Sequence, residues 1–70
     1  MKYAIVVEKG ESSWGAYVPD LPGCVAAAET REEVYTLIKE VIEFHLDGLR
    51  DAGETVPPPC SEADYIEISA

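Results

Sequence analysis

Positive charge is what this sequence has least of. Its 70 residues include only five lysines and arginines, and Lys2, Lys9, Arg31, Lys39 and Arg50 are scattered rather than gathered into a stripe. Sequence-independent binding of nucleic acid draws its affinity from clustered cations, so direct contact with RNA or DNA is not expected. Long apolar runs are missing as well. Tyr3 to Val7 falls far short of the ~20 residues that span a bilayer, and no cleavable leader pattern follows it, which points to a cytoplasmic protein. Cysteine is scarce: Cys24 and Cys60 allow one bridge at most, whereas small secreted domains usually carry about two to four, so both read as free thiols. Cys24, His45 and Cys60 are also too far apart to match the short ligand spacings of zinc sites. Neither a metal nor a cofactor is expected.

Acidic and apolar residues are what the chain has in quantity. Fourteen carboxylates give a net charge of −9, with 47% hydrophobic and 27% charged residues. That balance is too apolar for a solvated disordered tail and too mixed for a membrane protein, so residues 1–70 are expected to fold as one domain. A chain of this size buries only roughly 60% of the surface it exposes when unfolded, and such small cores are often completed by a partner subunit. The acidic surface favours a basic protein as partner, because opposite charges steer encounter.

The β-branched and aromatic run Lys2–Glu8 predicts a first strand, closed by turn chemistry at Lys9–Ser13, and Trp14–Val18 predicts a second. Pro19-Asp20-Leu21-Pro22-Gly23 forces a tight irregular turn, since proline fixes φ and glycine tolerates positive φ. Cys24–Ala28 resumes as a short third strand. Thr30-Arg31-Glu32-Glu33 has the form of a capping box, with the Thr30 hydroxyl accepting from the backbone of Glu33 and the Glu33 carboxylate reaching back to the Thr30 N–H. Val34, Leu37, Ile38, Val41, Ile42, Leu46 and Leu49 then recur at helical spacing on one face. Aspartate at Leu37 or Val41 is accordingly expected to unfold the domain. Gly53 and the prolines after it end the helix near Ala52, and alternation over Asp64–Ser69 predicts a last strand, parallel to the first.

The expected fold is therefore α+β, a β-β-β-α-β two-layer sandwich with one helix on a four-stranded mixed sheet. One helix covers one sheet face. Strand one nevertheless offers Tyr3, Ile5 and Val7 on one side and Ala4 and Val6 on the other, and strand two offers Trp14, Ala16 and Val18 against Gly15 and Tyr17. Two apolar faces and one roof predict a homodimer or a bound partner. Tyr3, Trp14, Tyr17 and Tyr65 are candidate anchors of that contact. His45, in the middle of the helix's apolar stripe, and Gly48, where close approach would justify a poor helix former, join them. A Cys24–His45 nucleophilic pair is the enzyme alternative, but Cys24 has no basic neighbour in sequence to favour its thiolate. No catalytic residue is assigned. Acidic pairs such as Glu43 and Asp47 read as a solvated helix face.

The segment Trp14-Gly15-Ala16-Tyr17-Val18-Pro19-Asp20-Leu21-Pro22-Gly23-Cys24-Val25, followed by Thr30-x-x-Glu33, resembles the HicB-like antitoxin family. His45-Leu46-Asp47-Gly48-Leu49 is similar to that family's helix end, and Val56-Pro57-x-Pro59 to its proline-bearing loop. The resemblance implies a degenerate ribonuclease H fold without catalytic carboxylates, and a dimer that neutralises a small basic HicA-type mRNA interferase by covering its active surface. Family members commonly carry a DNA-binding module after the last strand. Nothing up to Ala70 matches one, so autoregulatory DNA binding is not expected of these residues. The alternative is a homo-oligomeric structural or regulatory protein without a toxin.

Overall fold

The computed structural model describes residues 1–69. Three strands, β1 (Val6–Lys9), β2 (Trp14–Tyr17) and β3 (Val25–Ala28), precede one helix, α1 (Arg31–Asp51). The sheet is antiparallel in the order β1-β2-β3. Its register puts Val7 opposite Ala16 and Ala16 opposite Ala26. That row faces the helix, with Ala16 buried and Val7 and Ala26 packed against the core. The helix lies over β3 and β2 and only grazes β1.

The helix boundaries follow from the sequence. The Glu33 N–H donates to the Thr30 hydroxyl oxygen at 3.1 Å, satisfying one of the orphan donors of the first turn. The Glu33 carboxylate accepts from the Thr30 hydroxyl at 3.0 Å rather than from its N–H, so the capping box closes through side chains. At the other end Gly53 has φ 72°. Its N–H donates to the Arg50 carbonyl and that of Glu54 to the Leu49 carbonyl. This is the Schellman pattern, which needs a left-handed residue that glycine supplies without a Cβ penalty.

The Pro19–Gly23 segment is two successive turns. Leu21 N–H donates to the Val18 carbonyl and Cys24 N–H to the Leu21 carbonyl, each at 3.1 Å, and Val18 N–H closes the loop onto the Cys24 carbonyl. Gly23 at φ 89° takes the position that demands positive φ in a Pro-Gly turn. The folded-back loop drives Leu21 (0% exposed) and Cys24 into the core beside Val34 and Ile38.

Two expectations are corrected here. The sheet has three strands among the described residues, not four, and is antiparallel, not mixed. Asp64–Ser69 alternates as a strand should, yet Tyr65, Ile66 and Ile68 are 93%, 84% and 75% exposed and pair with no strand. Alternation says that a segment has two different sides; it does not supply the neighbour whose backbone makes it a strand. The parallel fourth strand implied by a ribonuclease H-like fold is thus not formed, and that likeness is not confirmed. The second correction is Leu37, which is 37% exposed at the edge of the helix's apolar face, whereas Val34, Ile38 and Leu46 are buried. Val41, Ile42 and Leu49 pack around the core's margin.

Candidate protein-interaction surfaces

The helix leaves the opposite sheet face open, as a single roof must. Along it the register aligns Val6, Tyr17 and Val25 in one cross-strand row, with Tyr17 41% and Val25 64% exposed. Neighbouring side chains on one sheet face act as a unit, so the row is a narrow apolar strip rather than three scattered residues.

Two grooves flank the helix. Between β3 and the first half of α1 lies a shallow groove of about 640 Å³ with Ala27, Ala28 and Leu37 as its apolar part and Glu29, Glu32, Glu33 and Glu40 as its charged part. No residue lining it is basic. Alternation on β3 and the i, i+3, i+4 spacing on the helix bring these carboxylates to one side. Glu33 is occupied by its cap, which leaves Glu29, Glu32 and Glu40 with no ion pair among the described residues. On the other side, between α1 and the segment that leads into β1, a more enclosed groove of about 380 Å³ is lined by Tyr3, Ile5, Tyr35, Ile38 and Ile42 with Lys39 and Glu43.

The candidate anchors fall in different places. Tyr3 and Trp14 are half-buried on the helix side of the sheet. Tyr3 donates its hydroxyl to the Pro57 carbonyl, and Trp14 carries the Lys9 ammonium 5.9 Å from its ring centroid. Tyr17 alone sits on the open face, while Tyr65 stands out on the C-terminal segment. His45 is half-buried beside Leu46, and no buried side-chain nitrogen or oxygen among the described residues lacks a partner. Within the chain nothing approaches Gly48: it is exposed, and a Cβ built there would meet no atom within 4 Å.

A polar cluster that sequence reasoning missed centres on Asp20. Its carboxylate accepts from the Cys60 N–H at 2.8 Å, the Ser61 N–H at 2.9 Å, the Ser61 hydroxyl at 2.6 Å and the Cys60 thiol at 3.1 Å. These donors, the Ser61 hydroxyl foremost, hold the Asp20 carboxyl far below its ordinary range. The Cys60 thiol's own hydrogen bond to Asp20, together with that carboxylate's negative charge, pushes the thiol up. Only the turn, which places Asp20 at a fixed outward position, could have hinted at this role. Cys24 is sealed in the core, and burial raises its thiol too. Neither sulfur is primed as a thiolate nucleophile. No group of three or more metal-ligating side chains occurs among the described residues.

The stretch that holds the Pro-Asp-Leu-Pro-Gly-Cys turn and the capped helix matches one known family along almost the whole chain. The model of the HicB-like antitoxin of bacterial toxin-antitoxin systems covers residues 3–69. The chain belongs to the HicB-like antitoxin family. This HicB-like chain is 36% identical over 66 residues to an uncharacterised 14.9 kDa protein of the rep-hol intergenic region of Haemophilus phage HP1, covering 94% of the chain and 50% of the phage protein. A UPF0150 protein of Thermoplasma acidophilum is 34% identical over 71 residues, covering all of both chains. Antitoxin HicB 2 of Photorhabdus laumondii is 24% identical over 71 residues, covering all of this chain and 51% of that protein. The HicB-like chain thus spans about half the length of two of these relatives and the whole of the third. No solved structure matches it. Family membership weighs against an enzyme, and no helix is long and apolar enough, among the described residues, to cross a membrane.

Proposed function

We propose that this chain is a non-enzymatic antitoxin domain that neutralises a small basic HicA-type mRNA interferase by covering its active surface. The observation that carries the reading is the β3–α1 groove, whose unpaired Glu29, Glu32 and Glu40 stand around Ala27, Ala28 and Leu37 with no cation among its lining. A toxin that must bind RNA presents the opposite charge, so these carboxylates steer it in, and the apolar part of the groove supplies area that water leaves on contact. Occlusion needs no chemistry from the antitoxin. It requires only that the basic surface used for RNA be occupied by carboxylates instead.

Co-expression with any small basic protein found encoded beside this one tests the proposal. The wild-type chain is expected to restore growth and to co-purify with the toxin in a complex that weakens as salt rises. Glu32→Lys together with Glu40→Lys is expected to cost at least tenfold in affinity while leaving the circular dichroism spectrum unchanged, whereas Glu54→Lys, beyond the helix end, changes neither. Undiminished binding by the double variant would refute the groove as the contact.

A further inference from the structure

The outer edge of β3 is open, and it borders the acidic groove. β3 ends the sheet, pairing with β2 on one side and, among the described residues, with no strand on the other. The Val18 N–H donates to the Cys24 carbonyl at 3.1 Å, which marks these two residues as a hydrogen-bonded pair just before the ladder. Such pairs alternate with non-bonded ones along antiparallel strands, so Ala26 and Ala28 turn their backbone groups toward β2, and Val25 and Ala27 turn theirs outward. The outward N–H and C=O groups of Val25 and Ala27 meet no partner among the described residues. Soluble proteins blunt free edges with charge, proline or a bulge. Val25-Ala26-Ala27-Ala28 has no charge and no proline, and its register against β2 runs unbroken.

A strand laid along this edge would meet two different environments. Ala26 and Ala28 face the helix, and Ala28 lines the groove whose far wall carries Glu32 and Glu40. Val25 lies on the open face in the row with Tyr17 and Val6. Alternation sends the added side chains opposite Ala26 and Ala28 into the acidic groove, and those opposite Val25 and Ala27 onto the apolar row. Glu32 and Glu40 are about 12 Å apart along the helix axis at 1.5 Å per residue. Side chains on one side of a strand recur every ~6.8 Å, so two such steps cover nearly the same length. A second copy of this chain suits the edge poorly. Pairing β3 with β3 would bring together two acidic grooves that hold no cation, on chains that each carry a net charge of −9.

We infer that the β3 edge receives an extended segment of the basic partner as a fourth, antiparallel strand, in which lysine or arginine alternates with apolar residues. The cations enter the groove toward Glu32 and Glu40, and the apolar side chains extend the row of Val6, Tyr17 and Val25. Hydrogen bonds to the backbone of Val25 and Ala27 fix the register and add affinity that charge alone does not supply. The inference rests on the groove reading above for the charge of the partner and adds the backbone of β3 to the contact.

The probe is a short capped peptide of alternating lysine and valine, added to the purified, isotopically labelled full chain. Two further peptides carry the same charge: one is N-methylated at its valine amides, which face β3 in this pairing, and the other at its lysine amides, which face away. The unmodified and lysine-methylated peptides are expected to bind, with the Val25 and Ala27 amides moving downfield and gaining protection from hydrogen exchange, and the valine-methylated peptide is expected to bind at least tenfold more weakly. Ala27→Pro, which deletes one outward N–H at an edge position where proline is tolerated, is expected to impose the same loss with the circular dichroism spectrum unchanged; if that variant does not fold, the two methylated peptides decide alone. Equal binding of the two methylated peptides would overturn the inference and leave the groove reading standing, since charge alone would then account for capture. Binding that survives Glu32→Lys with Glu40→Lys would overturn the groove reading and the inference with it. Val25 and Ala27 amides already protected in the free chain, at twice its mass of 7.6 kDa, would put a second copy on the edge and overturn the inference as well.

Discussion

Gly48→Ala is the sharpest test of how the helix is used. Residue 48 lies inside α1, is exposed, and a Cβ there meets nothing within 4 Å. Alanine is favoured over glycine within a helix by up to about 1 kcal/mol, mainly because the unfolded chain loses less freedom. Position 48 is near the C-terminal end, where part of the effect frays away, so a gain of about 0.5–1 kcal/mol is the reasoned range. An unfolding entropy of ~2.1 cal/mol/K per residue amounts to about 150 cal/mol/K for this domain, which converts that gain to a rise in Tm of about 3–7 °C. Thermal melts followed by circular dichroism at fixed protein concentration, with urea titration alongside, measure it. An unchanged or lowered Tm would refute the reasoning, because it would mean that another surface presses on Gly48 closely enough for one methyl group to be rejected.

Three further outcomes follow from burial and hydrogen bonding. Val34→Asp places an unpaired charge at a fully buried position and is expected to unfold a domain whose whole stability is only about 4–10 kcal/mol, whereas Leu37→Asp at the helix margin keeps a cooperative melt. Asp20→Ala frees the start of the C-terminal segment, so the amides of Cys60 and Ser61 lose their protection from hydrogen exchange. In the wild type that protection is constant from neutral pH down to the ordinary carboxylate value of 3.8 and fails only below it, since a lowered carboxyl pKa stabilises the fold above the unfolded value and loses that contribution as pH falls toward the folded one. Thiol labelling of the native chain is expected at Cys60 and not at the sealed Cys24, and Asp20→Ala accelerates it at pH 8 because the hydrogen bond and negative charge that raise the Cys60 thiol are gone.

The stretch most diagnostic of the family is largely structural. In Pro19–Cys24, Leu21 and Cys24 plug the core, Gly23 enables the second turn, and the Asp20 carboxylate fastens the C-terminal segment. Tyr3, a candidate interface aromatic, fastens Pro57 within the chain. A motif recognised from sequence can thus serve folding, while the open sheet row and the acidic groove are built from plainer residues such as Val25, Glu29 and Glu32. Nothing in their local pattern marks them, because exposure and proximity between elements are not properties of a window of sequence.

Local chemistry settled the elements that close on themselves. Thr30 and Glu33 start the helix, Gly53 stops it, and the β1–β2 and β2–β3 connections carry their own turn residues, so each is fixed by atoms a few positions away. The open second face of the sheet was also legible, since one helix has too little width to cover both sides. Tertiary structure alone decided the margin of the core at Leu37, the empty space at Gly48, the Asp20 clamp and the fate of Asp64–Ser69. These depend on which distant backbone arrives alongside, and alternation in a sequence is equally satisfied by a paired strand and by an extended segment that pairs with none.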